Sequence, residues 1–429
     1  MNITQYLNKF EKFTKDPTLK AMEYIMEKLE NPDKKLKYIH VAGTNGKGSI
    51  CEMLNSILVK QGYKVGKFMS PHLIDFKEIM TINNIQISED ELEKNVLQLE
   101  SIIEEYNKEN SIKVKWFEVI TSIAINYFAN NNCDIVILET GLGGTVDCTN
   151  IVNPLISVIG NIGYDHMDIL GSSIGEIATH KAGIIKENGH TVFVEQEGIT
   201  EIIEKIALSK NNKLHVIKKQ DLSNYSYNQE LQTFDYKNLK QIGISLKGEE
   251  QIYNAAICLE CMSILEDKGF NISENSIKNG LKTVVHKGRF EILRKEPTVI
   301  FDGGHNENAI KNLKRNLNQY YPDYKKVFIV SLINTKDYKS ILKYLLEDKE
   351  AVYFFTDGIG EEKYIPKETL YNEALQYGNR IFKESLENAI KTTIKQCRAG
   401  AFDDPVICIT GSFYKYAKTL EIFKNMENF

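Results

Sequence analysis

Short apolar runs bounded by turn residues alternate along this chain with stretches whose apolar positions recur at helical spacing, and that rhythm predicts strand–helix units around mostly parallel sheets. KYIHVAG, residues 37 to 43, reads as a strand ending in a glycine turn, and SICEMLNSILVKQG, 49 to 62, as a helix with a glycine stop. A helix over 88 to 108 opens at Ser88, with Glu91 three residues on as a capping box. FEVITSIAINYFANN reads as a helix; CDIVILETG, PLISVIGNIG and TVFVEQ read as strands; residues 207 to 245, polar and rich in Lys, Asn and Gln, read as short irregular strands and loops.

A second round begins near residue 297. PTVIFDGG, KKVFIVSL, AVYFFT and PVICITGS predict strands, and NAIKNLKRNLNQY, YKSILKYLLED and LENAIKTTIKQC predict helices between them. The expectation is a first domain over 1–286, a linker over 287–296 within VVHKGRFEILRKE, and a self-standing α/β domain over 297–429. The length of 429 residues, beyond the usual single core, points the same way.

Composition narrows the class. Hydrophobic residues at 42% and charged residues at 26% are ordinary for a water-soluble globular protein. A net charge of −5 argues against nucleic acid as the main partner. No apolar run approaches the roughly 18 residues that span a bilayer, and MNITQYLNKFEKFTKDP lacks the apolar core of a secretory signal. Seven scattered cysteines fit a reducing compartment. A cytoplasmic protein without membrane partners is expected. Cys258 and Cys261 have C-x-x-C spacing, but with no second pair nearby they read as core residues of a helix.

Four clusters carry candidate chemistry. Gly43-Thr44-Asn45-Gly46-Lys47-Gly48-Ser49 lies between strand and helix, where backbone amides and a helix N-terminus converge on a phosphate and Lys47 adds a point charge. It departs from G-x-x-x-x-G-K-[ST], because Val41 takes the first glycine's place and Gly48 precedes Ser49. Glu139 ends a buried apolar strand before a glycine turn, a setting for a magnesium ligand, although a lone strand-end glutamate is more often a cap. NIGYDHMDILG places Asp165 and His166 after a strand, and IATHKAGIIK places Lys181 at a half-buried helix end; the histidine alone favours a structural role. IFDGGHN sets Asp302, His305 and Asn306 at a strand C-terminus, where open α/β sheets bind ligands, though Asp-Gly-Gly is also an ordinary turn.

Together these clusters resemble the folylpolyglutamate synthase and dihydrofolate synthase family of the Mur ligase group, from the helix around Pro17–Met22 to GSFY at 411–414. HVAGTNGKGS carries the resemblance best, since cell-wall ligases of the group usually have threonine directly after the lysine. SPHL, FEV, GLGG, IG-x-DH, KAGIIK, Gln251 with Asn254–Ala255, GRFE and DGGHN follow in the family's order. The resemblance implies a P-loop ATPase-like N-terminal domain with a mostly parallel sheet, and a C-terminal Rossmann-like α/β domain. It implies ATP held by Gly46, Lys47, Gly48 and Ser49, with Asn254, Arg289 and Asp302 at nucleotide-binding positions and His305 close by as a catalytic candidate beside Lys47 and Lys181. Ser70, Glu139 and His166 match magnesium ligands, and Lys181 matches a lysine carbamylated in the family, which gives two ions. Pteroate contacts would fall on Thr18, Leu19 and Lys20, on Phe117, Glu118 and Thr121, and on Asp147, Thr149 and Asn150.

The implied reaction makes an acyl phosphate on dihydropteroate or a folate, which L-glutamate then attacks, with domain closure assembling the site of a monomer. Four positions depart from the family. Ile79 follows Glu78 where arginine is common, Thr145 follows GLGG where arginine is usual, His286-Lys287 replaces Trp-Pro, and Glu250 stands where histidine precedes the glutamine. The missing arginines keep open a Mur-type ligase for another carboxylic acid. A non-catalytic ATP-binding paralogue is the third reading, against which intact Glu139, His166 and Lys181 count.

Overall fold

A computed structural model describes residues 3–11, 17–334, 338–359, 364–378, 380–400 and 404–427. The chain divides into two compact units: Met1–Tyr225 with Thr233–Ile244 and Gln251–Val284, and Ser226–Gln232 with Ser245–Glu250 and Val285–Phe429.

The first unit is built on an eight-stranded sheet of β1 (Tyr38–Ala42), β2 (Val65–Phe68), β3 (Met80–Ile82), β4 (Ile85–Gln86), β5 (Ile135–Glu139), β6 (Ile156–Ile159), β7 (His190–Val194) and β8 (Lys213–Ile217), in the order 4-3-2-5-1-6-7-8. The six strands from β2 to β8 across that order run parallel, and the two pairs at the other end, β2 with β3 and β3 with β4, are antiparallel. β1 lies at the centre, every residue buried, with Val41 opposite Glu139 and Ala42 opposite Ile159. Such strands read as continuous apolar runs because helices cover both faces. The turns after β1, β5 and β6 therefore sit side by side at one sheet end, which is what gathers the site.

Helices fall close to expectation: Lys47–Gln61 stopped by Gly62 (φ 101), Glu89–Glu109 capped by Ser88 accepting from the Glu91 amide, and Trp116–Asn130. Cys258 and Cys261 are fully buried in the helix Glu249–Asp267, as core residues. The stretch 207–245 is more regular than its polarity suggests. It supplies β8 to the main sheet, and β9 (Leu222–Tyr227), β10 (Gln232–Tyr236) and β11 (Leu239–Ile244) to a separate three-stranded sheet. Alternation inside β10, where Phe234 and Tyr236 are buried, stands in for an apolar run.

The second unit holds a six-stranded sheet of β12 (Glu291–Lys295), β13 (Thr298–Asp302), β14 (Lys325–Val330), β15 (Val352–Thr356), β16 (Arg380–Glu384) and β17 (Pro405–Thr410), in the order 12-13-17-14-15-16. All pairs are parallel except β12 with β13. Residues 291–295, expected within a linker, are this antiparallel edge strand; their mixed polarity is that of a strand with one face in solvent. RIFKE, which carries little apolar signal, is the other edge. Among the described residues no helix is long and apolar enough to cross a membrane.

Candidate active site

In the first unit the loop after β1 is tied down before any ligand arrives. The amides of Thr44 and Asn45 donate to the Asn161 carbonyl at 2.8 and 3.2 Å, and the Thr44 hydroxyl and Gly163 backbone bond reciprocally at 3.0 Å. Gly46 caps the helix Lys47–Gln61 at φ 90, and a Cβ there would lie 2.7 Å from Asn254 Oδ1. Both the backbone angle and the close approach of Asn254 therefore require glycine. Asn254 itself is buried and oriented by a 3.1 Å bond to Gln251 Oε1.

Two lysines converge on one carbonyl. Lys47 Nζ donates to the Gly43 oxygen at 3.0 Å, and Lys181 Nζ, from the last turn of the helix Ile174–Ala182, donates to the same atom at 2.9 Å. Lys181 is only 4% exposed. Burial, and then repulsion from Lys47, push its pKa down to about 7, against the opposing pull of Asp165 and Asp147. The positive charge of Lys47 beside a helix N-terminus is what a polyphosphate needs.

Glu139 ends β5 with its carboxylate buried, and its Oε2 accepts the Ser70 amide at 3.0 Å. Ser70 and Glu139 are thus brought together. His166 takes a left-handed backbone (φ 50) at the start of a short helix; its side chain is 46% exposed, with Nε2 3.8 Å from Asp165 Oδ1. Asp165 links it electrostatically to Lys181.

The proposed pteroate contacts divide. Asp147 and Thr149 are buried and turned towards each other. Asp147 accepts the Leu142 amide at 2.7 Å, the Thr149 amide at 3.0 Å and the Thr149 hydroxyl at 2.5 Å, while Thr149 Oγ1 meets His40 Nε2 at 2.8 Å. Burial raises the Asp147 pKa and drives that of His40 down to about 3. Asn150 donates to the carbonyls of Thr145 and Gly183, at 3.0 and 3.2 Å. Thr121 is buried and donates to Phe117 O at 2.7 Å. Glu118 accepts the Lys115 amide at 2.7 Å, and burial raises its pKa. Phe117 packs on Phe68 and would meet a Cβ at Gly141 at 2.4 Å. Thr18, Leu19 and Lys20 lead into the helix Lys20–Lys28, with Lys20 exposed. Lys77 is engaged by Glu89 at 2.5 Å and Asp75 at 3.4 Å. Thr145, where the family has arginine, is held by its amide and hydroxyl to His180 O.

In the second unit GRFE and DGGHN are one knot. Asp302 Oδ2 accepts the Phe290 amide at 2.9 Å and Oδ1 that of Gly304 at 2.8 Å, while the Gly303 amide donates to Gly288 O at 2.8 Å. Phe290 adopts φ 43 to present its amide, a left-handed backbone unusual for an aromatic residue. Burial raises the Asp302 pKa against the attraction of Arg289. His305 Nδ1 lies 2.8 Å from Gly303 O, and Asn306 caps the helix Glu307–Tyr320.

Sequence reasoning missed the residues that brace these turns: Thr44, Asn161 and Gln196, whose side chain brackets Ile162 by bonds to its amide and carbonyl at 3.1 and 2.5 Å. A polar residue at or near the end of a predicted strand was the available signal for each. Among the described residues no cluster of three His, Cys, Asp or Glu stands ready to hold a metal.

A phosphate loop at the end of a central parallel strand, joined to a second α/β unit, is the architecture of a ligase of the Mur type. Family models described as Mur ligase middle domain and as Mur ligase, glutamate ligase domain match residues 41–262 and 288–413, and the chain belongs to the Mur ligase family. Within that family its relatives are folate-named enzymes. It is 34% identical over 419 residues to the dihydrofolate synthase/folylpolyglutamate synthase of Bacillus subtilis (strain 168), covering 94% of each chain. It superposes on folylpolyglutamate synthase from Thermotoga maritima with TM-score 0.84 at 30% identity, over 98% of this chain and 96% of that one. Escherichia coli FolC, solved in complex with DHPP and ADP, matches with TM-score 0.83 at 26% identity, over 99% and 97%.

Proposed function

We propose that this chain is an ATP-dependent ligase that adds L-glutamate to dihydropteroate and to reduced folates. The observation that carries this is the convergence of Lys47 and Lys181 on the Gly43 carbonyl, beside the Ser70–Glu139 pair. In this reading Gly46, Lys47, Gly48 and Ser49 hold the ATP phosphates. Lys47 turns from Gly43 O to the γ-phosphate as it passes to the acceptor carboxylate, a transfer that asks the protein mainly for positioning and positive charge. The products of that step are ADP and an acyl phosphate. The amine of glutamate then attacks the carbonyl carbon and inorganic phosphate leaves. Asn254, Arg289 and Asp302 serve as nucleotide-binding positions and His305 as a nearby catalytic candidate.

Magnesium is implied by the family, and the donor set fits it in part. A buried carboxylate held by one amide suits a hard cation, so Ser70 and Glu139, with His166, are the residues that would hold it. The ion supplies charge neutralisation at phosphate oxygens. As an ammonium donating to a carbonyl, Lys181 has no lone pair with which to ligate a metal. Its lowered pKa leaves much of the amine neutral near pH 7, the form that reacts with carbon dioxide, which supports a carbamate and a second ion.

The pteroate assignment rests best on Phe117, Thr18, Leu19 and Lys20. The internal bonding of Asp147, Thr149, Asn150, Glu118 and Thr121 supports a role in shaping the wall rather than direct contact. A second reading, ligation of another carboxylic acid, is favoured by Thr145, whose bonds to His180 leave no cation after GLGG. We place the protein in the cytoplasm, with neither nucleic acid nor membrane as partner, on its charge of −5 and its composition, and read it as a monomer. Phosphate release with ATP and glutamate, measured with dihydropteroate, with reduced folate and with neither, tests the proposal. Release with both acceptors supports it, release with dihydropteroate alone reduces it to dihydrofolate synthase, and release with neither overturns the folate assignment.

A further inference from the structure

We propose that Phe413 is a positioning residue for Arg289, its ring serving as the platform on which the guanidinium lies. The proposal rests on the reading above that Arg289 binds the nucleotide. The guanidinium carbon stands 4.4 Å from the Phe413 ring centroid, well inside the range of a cation–π contact. The His305 ring meets the same phenyl group edge-on, at 5.9 Å between centroids and 67° between planes. Gly303 completes the fit, because a Cβ there would stand 2.3 Å from Phe413 Cδ1 and Cε1. One of the two glycines of DGGHN is thus explained by the phenyl ring rather than by its own backbone angle.

The ring is itself held rigidly. Phe413 is 8% exposed and lies in the turn after β17. Ser412 Oγ accepts the Tyr414 amide at 3.2 Å and meets Tyr364 Oη at 3.1 Å. The fully buried Lys415 ammonium donates to the carbonyls of Ile329 and Thr410, at the ends of β14 and β17. Gly411, at φ 101, packs so closely that a Cβ would stand 2.2 Å from Ser331 O. Asp302 attracts Arg289 by charge, and the phenyl face supports the guanidinium from the other element. A planar fork binds phosphate or carboxylate oxygens well only when its plane is fixed.

The test is steady-state kinetics of the full chain, varying ATP, for Phe413→Leu, Phe413→Tyr, Arg289→Ala and the Phe413→Leu/Arg289→Ala double variant. Phe413→Leu is expected to raise KM for ATP about threefold to thirtyfold with little change in kcat. Phe413→Tyr, which keeps the π face, restores KM. In the Arg289→Ala background Phe413→Leu adds nothing, because a platform without its guanidinium has no effect left to lose. An unchanged KM in Phe413→Leu, or additive effects in the double variant, overturns the platform. An unchanged KM in Arg289→Ala overturns instead the nucleotide role of Arg289. Phe413→Met, of similar volume, replaces the leucine variant with the same readings if that variant does not fold.

Discussion

Each unit buries a lysine at a turn beyond its parallel sheet, and the two lysines are alike in desolvation and different in company. Lys181 and Lys415 are both pushed down to about 7 by burial, and both donate to backbone carbonyls. Around Lys181 the neighbours that matter are charged: Lys47 lowers its pKa further, while Asp165 and Asp147 pull it back. Around Lys415 the one further influence is the buried Cys408 thiol. A buried ammonium among charged groups that differ between ligand states is placed to change partner. One satisfied by strand-end carbonyls is placed to hold a turn still. Depressed pKa alone therefore does not mark chemistry; the charges facing the group do.

The largest effect expected on this contrast comes from the partner that only Lys181 has. Lys47→Ala should lower kcat for ligation by about a hundredfold or more with an unchanged circular dichroism spectrum. Near-normal turnover would remove the phosphate role from the first unit. Next in size, Lys181→Met should abolish most ligation while stabilising the ligand-free fold at neutral pH, since it removes a charge that burial disfavours. Isotope-labelled bicarbonate should give a carbamate resonance in the native protein that this variant lacks; its absence from fully active enzyme would sink the carbamate.

A third effect concerns pH. Both lysines have folded pKa values near 7, below that of the unfolded chain, so unfolding takes up protons above pH 7. Their penalty to folding is full below that value and fades as pH rises towards the ordinary lysine range, so stability should grow from neutral towards alkaline pH. Urea denaturation of ligand-free protein should show that growth, and either Lys181→Met or Lys415→Met should reduce it. A slope unaltered in both variants would mean that the amines are not buried as charges. The smallest effect is expected of Thr149→Val, which strands His40 Nε2, removes one of the three bonds described to Asp147 and should cost about 1–3 kcal/mol of stability. KM for dihydropteroate should stay as it is; a selective rise would return Thr149 to the acceptor site.

Much of this was legible in the chain. The strand and helix rhythm of both units, the glycine-rich turn after β1 and the strand-end acids follow from apolar period and from glycine placement, because buried parallel strands must be continuously apolar and a tight strand-to-helix turn needs glycine. Less legible were β12 and β16, edge strands with exposed faces, and the regularity of 207–245, where β9 and β11 carry several exposed positions and β10 buries polar Gln232 and Asp235 beside its aromatic residues.

The sequence by itself determined that Gly46 and Lys47 would stand together where a strand gives way to a helix, since neighbours along one loop need no fold to bring them together. It also determined the two rounds of strand and helix. Only the tertiary structure decided that Lys181 reaches Gly43, 138 positions away, that Thr149 bonds His40 rather than facing outward, and that Phe413 lies under Arg289. Those pairings join residues far apart in the chain, and their energies depend on burial and on distances of a few ångströms, which residue type and spacing do not encode.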